Sequence, residues 1–139
     1  MFLINILNAM AEDGINPKIL LMDDEDVIRE NMEEIGELLD IEIVTTKNAN
    51  ETIDRFSSAF RSGVKFDAVI LDLTIKGGIG GCETLRELRQ IDPAIKSILF
   101  SGDEYSHVSQ NYRDYGFTDV IKKPVNIQEF EAKIRELFS

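Results

Sequence analysis

From Lys18 onward the apolar residues fall into two alternating rhythms. One is a short continuous run, and the other is a stripe repeating every three or four positions. Runs of this kind read as strands buried on both sheet faces, and stripes read as amphipathic helices. The runs are Ile19–Met22, Ile41–Val44, Phe66–Leu71, Ile95–Phe100 and Phe117–Ile121. The stripes are Val27, Ile28, Met32, Ile35 and Leu39, placing a helix over Asp26–Leu39, then Ala49, Ile53, Phe56 and Phe60, closed by Gly63. Cys82, Leu85 and Leu88 form a third, ending before Asp92-Pro93. Asp103–Tyr115 reads as a fourth helix ended by Gly116, and Ile127, Phe130, Ile134 and Leu137 mark a fifth. Strands alternating with helices across short connections predict a doubly wound α/β fold, a parallel sheet with helices on both faces.

Met1–Asn16 stands outside this alternation. Phe2, Leu3, Ile6, Leu7 and Met10 could line one face of a short helix. The segment reads as a frayed leader, or as an extra helix joining an upstream domain or a second copy. Residues 17–139 read as one domain.

Composition narrows the function. The chain has 139 residues and a formal net charge of −11. That charge disfavours binding to nucleic acid or anionic lipid, which needs clustered Lys and Arg. The single cysteine, Cys82, excludes a disulfide framework or a Cys-rich zinc site and reads as an ordinary half-buried thiol. No apolar run is long enough to span a bilayer, and no secretory signal is recognisable. The expected location is the cytoplasm.

In a parallel sheet the strand C-terminal ends share one edge, where open α/β sheets bind ligands. Strand one ends in Asp23 and Asp24, strand three in Asp72, strand four in Ser101, and strand five in Lys123 before Pro124. Each has a plain reading: a helix-starting acidic turn, a strand terminator, a turn serine, a surface lysine. Together they suggest more. Neighbouring strands lie about 4.8 Å apart, so Asp24 and Asp72 converge if strands one and three adjoin. Two like charges at about 4 Å repel by roughly 4 kcal/mol at an effective dielectric near 20. Mg²⁺, a hard cation with few carboxylate ligands, would relieve that. Asp72 then reads as a phosphate acceptor, with the Ser101 hydroxyl and Lys123 ammonium suited to phosphoryl oxygens. The backbone carbonyl of Thr74 could complete the metal shell. Lys122, on the opposite face by alternation, reads as a surface residue, and Asp26 as an N-cap. Gly77, Gly78, Gly80 and Gly81 lack the Gly-Lys-Ser/Thr ending of a phosphate loop and read as flexible backbone near the site.

The stretches ILLMDDED (19–26), AVILDLT (68–74), SILFSG (97–102) and KKP (122–124) resemble the receiver domain of two-component response regulators. The resemblance spans about Pro17 to Phe138. It implies a CheY-like sheet in the order 2-1-3-4-5. It implies a phosphoacceptor Asp72 charged by a histidine kinase or histidine phosphotransfer domain. Mg²⁺ would lie on Asp23, Asp24, Asp72 and the Thr74 carbonyl, with Ser101 and Lys123 on the phosphoryl oxygens and a cis Lys123–Pro124 peptide. Such a domain is a signalling acceptor, not an enzyme with a separate substrate. It would signal a downstream protein through its fourth helix, fifth strand and fifth helix, as a monomer or weak dimer. Val120 stands where the family often has an aromatic switch residue. The tract DLTIKGGIGG also resembles receivers fused to hybrid sensor kinases. Rival readings are a phosphorylation-independent interaction module on the same fold, an FMN-binding flavodoxin-like protein, and a phosphatase with an Asp nucleophile. The last would need a second Asp where Thr74 stands.

Overall fold

The computed structural model describes residues 16–139. The expected leader therefore lies, Asn16 apart, outside the described residues. The elements alternate as the rhythms predict. They are β1 (Lys18–Met22), α1 (Asp26–Leu39), β2 (Glu42–Thr46), α2 (Ala49–Ser62), β3 (Ala68–Asp72) and α3 (Gly81–Ile91). Then come β4 (Lys96–Ser101), α4 (His107–Gln110), a 3₁₀ turn (Tyr112–Tyr115), β5 (Asp119–Lys122) and α5 (Ile127–Leu137). The strands form one parallel sheet in the order β2-β1-β3-β4-β5.

Successive strand residues point to opposite faces, and each face meets its own helices. Ile19, Leu21, Ile70, Ile98, Phe100 and Ile121 pack with Met32 and Leu39 of α1 and Phe130 and Ile134 of α5. Leu20, Met22, Val69, Leu71 and Leu99 pack with Phe56 of α2 and Leu85 and Leu88 of α3. All five residues of β3 are buried, which is why the central strand reads as an unbroken apolar run ending in one carboxylate. The chain leaves β1 and β3 in opposite directions along the sheet, so a crevice opens between the C-terminal ends of these neighbouring strands.

Four expectations are corrected. The helix expected over Asp103–Tyr115 is a short α4 followed by a 3₁₀ turn. The break falls at Asn111, whose N–H meets both the His107 and Val108 carbonyls, tightening the turn. The second strand starts one residue later and ends two residues later than expected, because β1 pairs in register from Lys18↔Glu42 to Met22↔Thr46. The fifth strand likewise starts at Asp119 rather than Phe117. Asp26 is the first residue of α1 rather than its cap; the N-cap position belongs to Glu25, which makes no side-chain capping bond. Asn48 and Asn126 do cap, accepting from the Glu51 and Glu129 amides at 2.9 and 3.0 Å.

Candidate functional site

The strand ends carry the polar residues into the crevice. Asp23 follows β1 directly, and its N–H continues the ladder to the Thr46 carbonyl at 3.0 Å. Its side chain is fully buried. One carboxylate oxygen, Oδ1, accepts from the Glu25 amide at 2.9 Å. The other, Oδ2, lies 2.6 Å from the Lys123 ammonium. The ammonium ion pair is what offsets the burial of this oxygen, which no other donor reaches.

Asp72 ends β3 and is 5% exposed. Its Oδ1 accepts from the Thr74 amide at 3.2 Å, and its Oδ2 lies 3.1 Å from the same Lys123 ammonium. Asp24 is half-buried and accepts from the Lys76 amide at 3.0 Å. Asp23, Asp24 and Asp72 each offer one oxygen, all within 4.8 Å of one another.

Lys123 reaches these acids because β5 delivers it there. Its amide donates to the Ser101 carbonyl at 2.9 Å, the Lys123–Pro124 peptide is cis, and its ammonium passes 4.8 Å from the Phe100 ring centroid. Lys122 points away and pairs with Glu104 at 3.1 Å on the surface.

The electrostatics follow from burial. Desolvation pushes the Asp72 carboxyl up to about 6; Lys123 opposes this and the Asp23 charge reinforces it. Burial alone would lower the Lys123 ammonium. Its bonds and attractions to Asp23 and Asp72 outweigh that and hold it above the ordinary lysine value.

Three carboxylates against one ammonium leave a formal excess of two negative charges. A divalent cation with oxygen ligands fits that donor set.

Two of the glycines after β3, Gly80 and Gly81, act differently from the expectation of loose backbone. A Cβ on Gly80 would lie 2.0 Å from the Leu73 carbonyl oxygen, and one on Gly81 would lie 2.7 Å from that of Asp72. Their bareness lets the start of α3 press against the end of β3 and hold Asp72 in place.

Ser101 is buried, 2% exposed. Its hydroxyl bonds run away from the acids: it donates to the Asp103 carbonyl at 3.1 Å and accepts from Ser109 Oγ at 2.9 Å. Ser109 is a contact that sequence reasoning missed. The only signal was the repeated serine at Ser106 and Ser109, which resembles an ordinary polar helix face. Thr46, left without a role from sequence, is buried and shares a 2.6 Å hydroxyl bond with Thr52, joining β2 to α2.

Comparison with known proteins gives the class. The chain matches the response regulator receiver domain family model over residues 19–135 and belongs to that family. It is 30% identical over 120 residues to the probable transcriptional regulator ycf27 of Cyanophora paradoxa, covering 86% of this chain and 47% of that protein. It is 32% identical over 116 residues to the transcriptional regulatory protein YkoG of Bacillus subtilis, covering 78% and 48%. The chain thus spans about half the length of the curated relatives it matches. Among solved structures, response regulator TrrA of Thermotoga maritima, in complex with Mg²⁺–BeF, is 31% identical with a TM-score of 0.73, covering 87% of this chain and 98% of that one. A CheY-like receiver from Methanospirillum hungatei superposes with a TM-score of 0.74 at 24% identity, covering 87% and 92%. This class displaces the flavodoxin-like FMN binder and the phosphatase. Among the described residues, no helix is long and apolar enough to cross a membrane.

Proposed function

We propose that this receiver accepts a phosphoryl group on Asp72 from a histidine kinase or histidine phosphotransfer domain. The observation that carries the proposal is the buried Lys123 ammonium between Asp23 Oδ2 and Asp72 Oδ2, at 2.6 and 3.1 Å. A lysine buried there serves both acids at rest and is placed to follow a phosphoryl group.

An Asp72 carboxylate oxygen attacks the phosphorus of the donor phosphohistidine in line. The P–N bond breaks, its electron pair leaves with the imidazole, and an acyl phosphate forms on Asp72. Lys123 neutralises an equatorial oxygen, a general requirement of phosphoryl transfer. Ser101 donates its hydroxyl to another. Asp23, Asp24, Asp72 and the Thr74 carbonyl would hold Mg²⁺, whose chemistry here is neutralising charge on the transferring group. Burial holds Asp72 near 6, so at neutral pH most of it is already the carboxylate that attacks.

Movement of Ser101 toward the phosphoryl group alters the surface of Asp103–Tyr115 and Val120–Phe138, where the downstream partner binds. The relatives named as transcriptional regulators are longer than this chain, and the match spans about half of each. We take the cytoplasm as its location, a reading that the signalling role supports.

The test is incubation with acetyl phosphate and Mg²⁺, read by intact mass. Wild type gains one phosphoryl group, and neither Asp72→Asn nor wild type in EDTA does. An unlabelled wild type, or an equally labelled Asp72→Asn, rejects the assignment.

A further inference from the structure

The hydroxyl of Ser101 has no spare hydrogen-bonding capacity. A serine hydroxyl has one proton and two lone pairs. The proton goes to the Asp103 carbonyl at 3.1 Å. The lone pairs accept from the Asp103 amide at 3.1 Å and from Ser109 Oγ at 2.9 Å. Ser109 in turn accepts from Ser106 Oγ at 2.9 Å. Hydroxyl protons thus run one way, from Ser106 through Ser109 and Ser101 to Asp103, and such chains strengthen each member. Ser109 is 6% exposed.

The surroundings leave room for this chain to change. Beside it lies a cavity of about 360 Å³ whose wall includes Ser101, Ser109, Val120 and Lys122. Val120 puts a small aliphatic group there, so no aromatic ring from β5 is available to follow Ser101. The adjoining α4 is only His107–Gln110, and a segment that short has little helical hydrogen bonding of its own to resist displacement.

We infer that Ser109 is the positioning residue through which Ser101 controls α4. At rest its hydroxyl latches Ser101 in the pose that faces Asp103. This rests on the reading of Asp72 as phosphoacceptor and names how that event reaches the surface. If Ser101 turns its proton toward a phosphoryl oxygen, the Asp103 bond breaks and the oxygen leaves Ser109. A buried donor stripped of its acceptor is costly. Residues 103–110 therefore lose this anchor, leave the resting pose and open more often. No covalent change beyond acylation of Asp72 is required.

The experiment is amide hydrogen exchange over residues 103–115, with Mg²⁺, before and after acetyl phosphate. The proteins are wild type, Ser109→Ala and Ser109→Thr. Ser109→Ala keeps the backbone amide that caps onto Ser106 at 3.1 Å, so the helix start is preserved. In wild type, phosphorylation speeds exchange in this segment by about five- to tenfold, the worth of one buried hydrogen bond. Ser109→Ala exchanges fast in both states, so its ratio of phosphorylated to unphosphorylated rates falls toward one. Ser109→Thr keeps the hydroxyl and restores the wild-type ratio. A purely structural serine would raise both rates and leave the ratio intact, and that result overturns the latch. Intact mass on the same samples separates the failures. A labelled Ser109→Ala with a wild-type ratio defeats the latch alone, and an unlabelled wild type defeats the phosphoacceptor reading with it.

Discussion

At Asp72 burial and ion pairing pull in opposite directions, and burial prevails. The carboxyl sits near 6 rather than the ordinary 3.8. The folded state therefore holds this proton more tightly than the unfolded chain does. Between those two values the folded protein binds more protons, so stability falls as pH rises through the window. Above it the cost of an ionised, buried Asp72 is fully present, at most about 3 kcal/mol at 1.36 kcal/mol per pH unit. In EDTA, Asp72→Asn should thus be more stable than wild type at pH 7.5 by up to about that amount. The advantage should fade toward pH 4. Urea melts at several pH values decide it, and a gap that does not change with pH would show that the carboxylate's charge is not the cause. The substitution leaves Lys123 its partner Asp23 at 2.6 Å, so the ammonium is not orphaned. The placement of these residues was largely legible in the sequence. Asp23, Asp72 and Lys123 stand at strand ends, and a parallel sheet has only one edge on which to gather such ends. Ser109 was not legible, because its acceptor belongs to another strand end eight residues earlier and nothing in the local pattern marks a buried hydroxyl.

Elements were legible in kind and less so in extent. Buried strands announce themselves by composition, whereas their limits are set by the neighbour they pair with. Ile41 looked like a strand residue because it is apolar. In fact its N–H closes the end of α1 on the Gly36 carbonyl at 2.8 Å, and β2 begins one residue later. The short α4 was hidden for a different reason. Val108 and Tyr112 pack against the core with helical spacing, but Asn111 takes φ −125° and ψ 35°, which no continuous α-helix allows. The glycines after β3 show how an element is anchored. Gly80 is the N-cap of α3, a position that prefers glycine to alanine. Alanine is further disfavoured there because the new Cβ would lie 2.0 Å from a backbone oxygen that cannot swing aside. Overpacking of that kind costs about 1–3 kcal/mol. Gly80→Ala should lower the urea midpoint and slow labelling of Asp72, since α3 must shift off the end of β3. An unchanged midpoint would mean that this junction is looser than the contact implies.

Over the whole molecule, the residue pattern led to a parallel sheet with helices on both faces but did not order the strands. The order came from resemblance to a family, because every buried strand offers similar apolar edges and only register in three dimensions distinguishes neighbours. That order matters because it sets β1 beside β3 and β3 beside β4. The acids and the lysine then share one crevice, and its formal excess of two negative charges becomes a property of the folded state alone. An unfolded chain with net charge −11 scatters those acids and offers no comparable site, so a cation that fits the crevice binds the folded form selectively. Stabilisation by such a ligand is about 3 kcal/mol at a hundredfold excess over its Kd. Mg²⁺ should therefore raise the melting temperature of wild type at pH 7.5, and Asp23→Asn should lose most of that gain. The gain should also shrink on acidification through about pH 6, because the proton that Asp72 then takes up competes with the metal for the same oxygens. Calorimetry at pH 7.5 and pH 5, with and without Mg²⁺, measures both effects. A metal-induced shift that survives in Asp23→Asn, or that is as large at pH 5 as at pH 7.5, would place the ion elsewhere on the acidic surface.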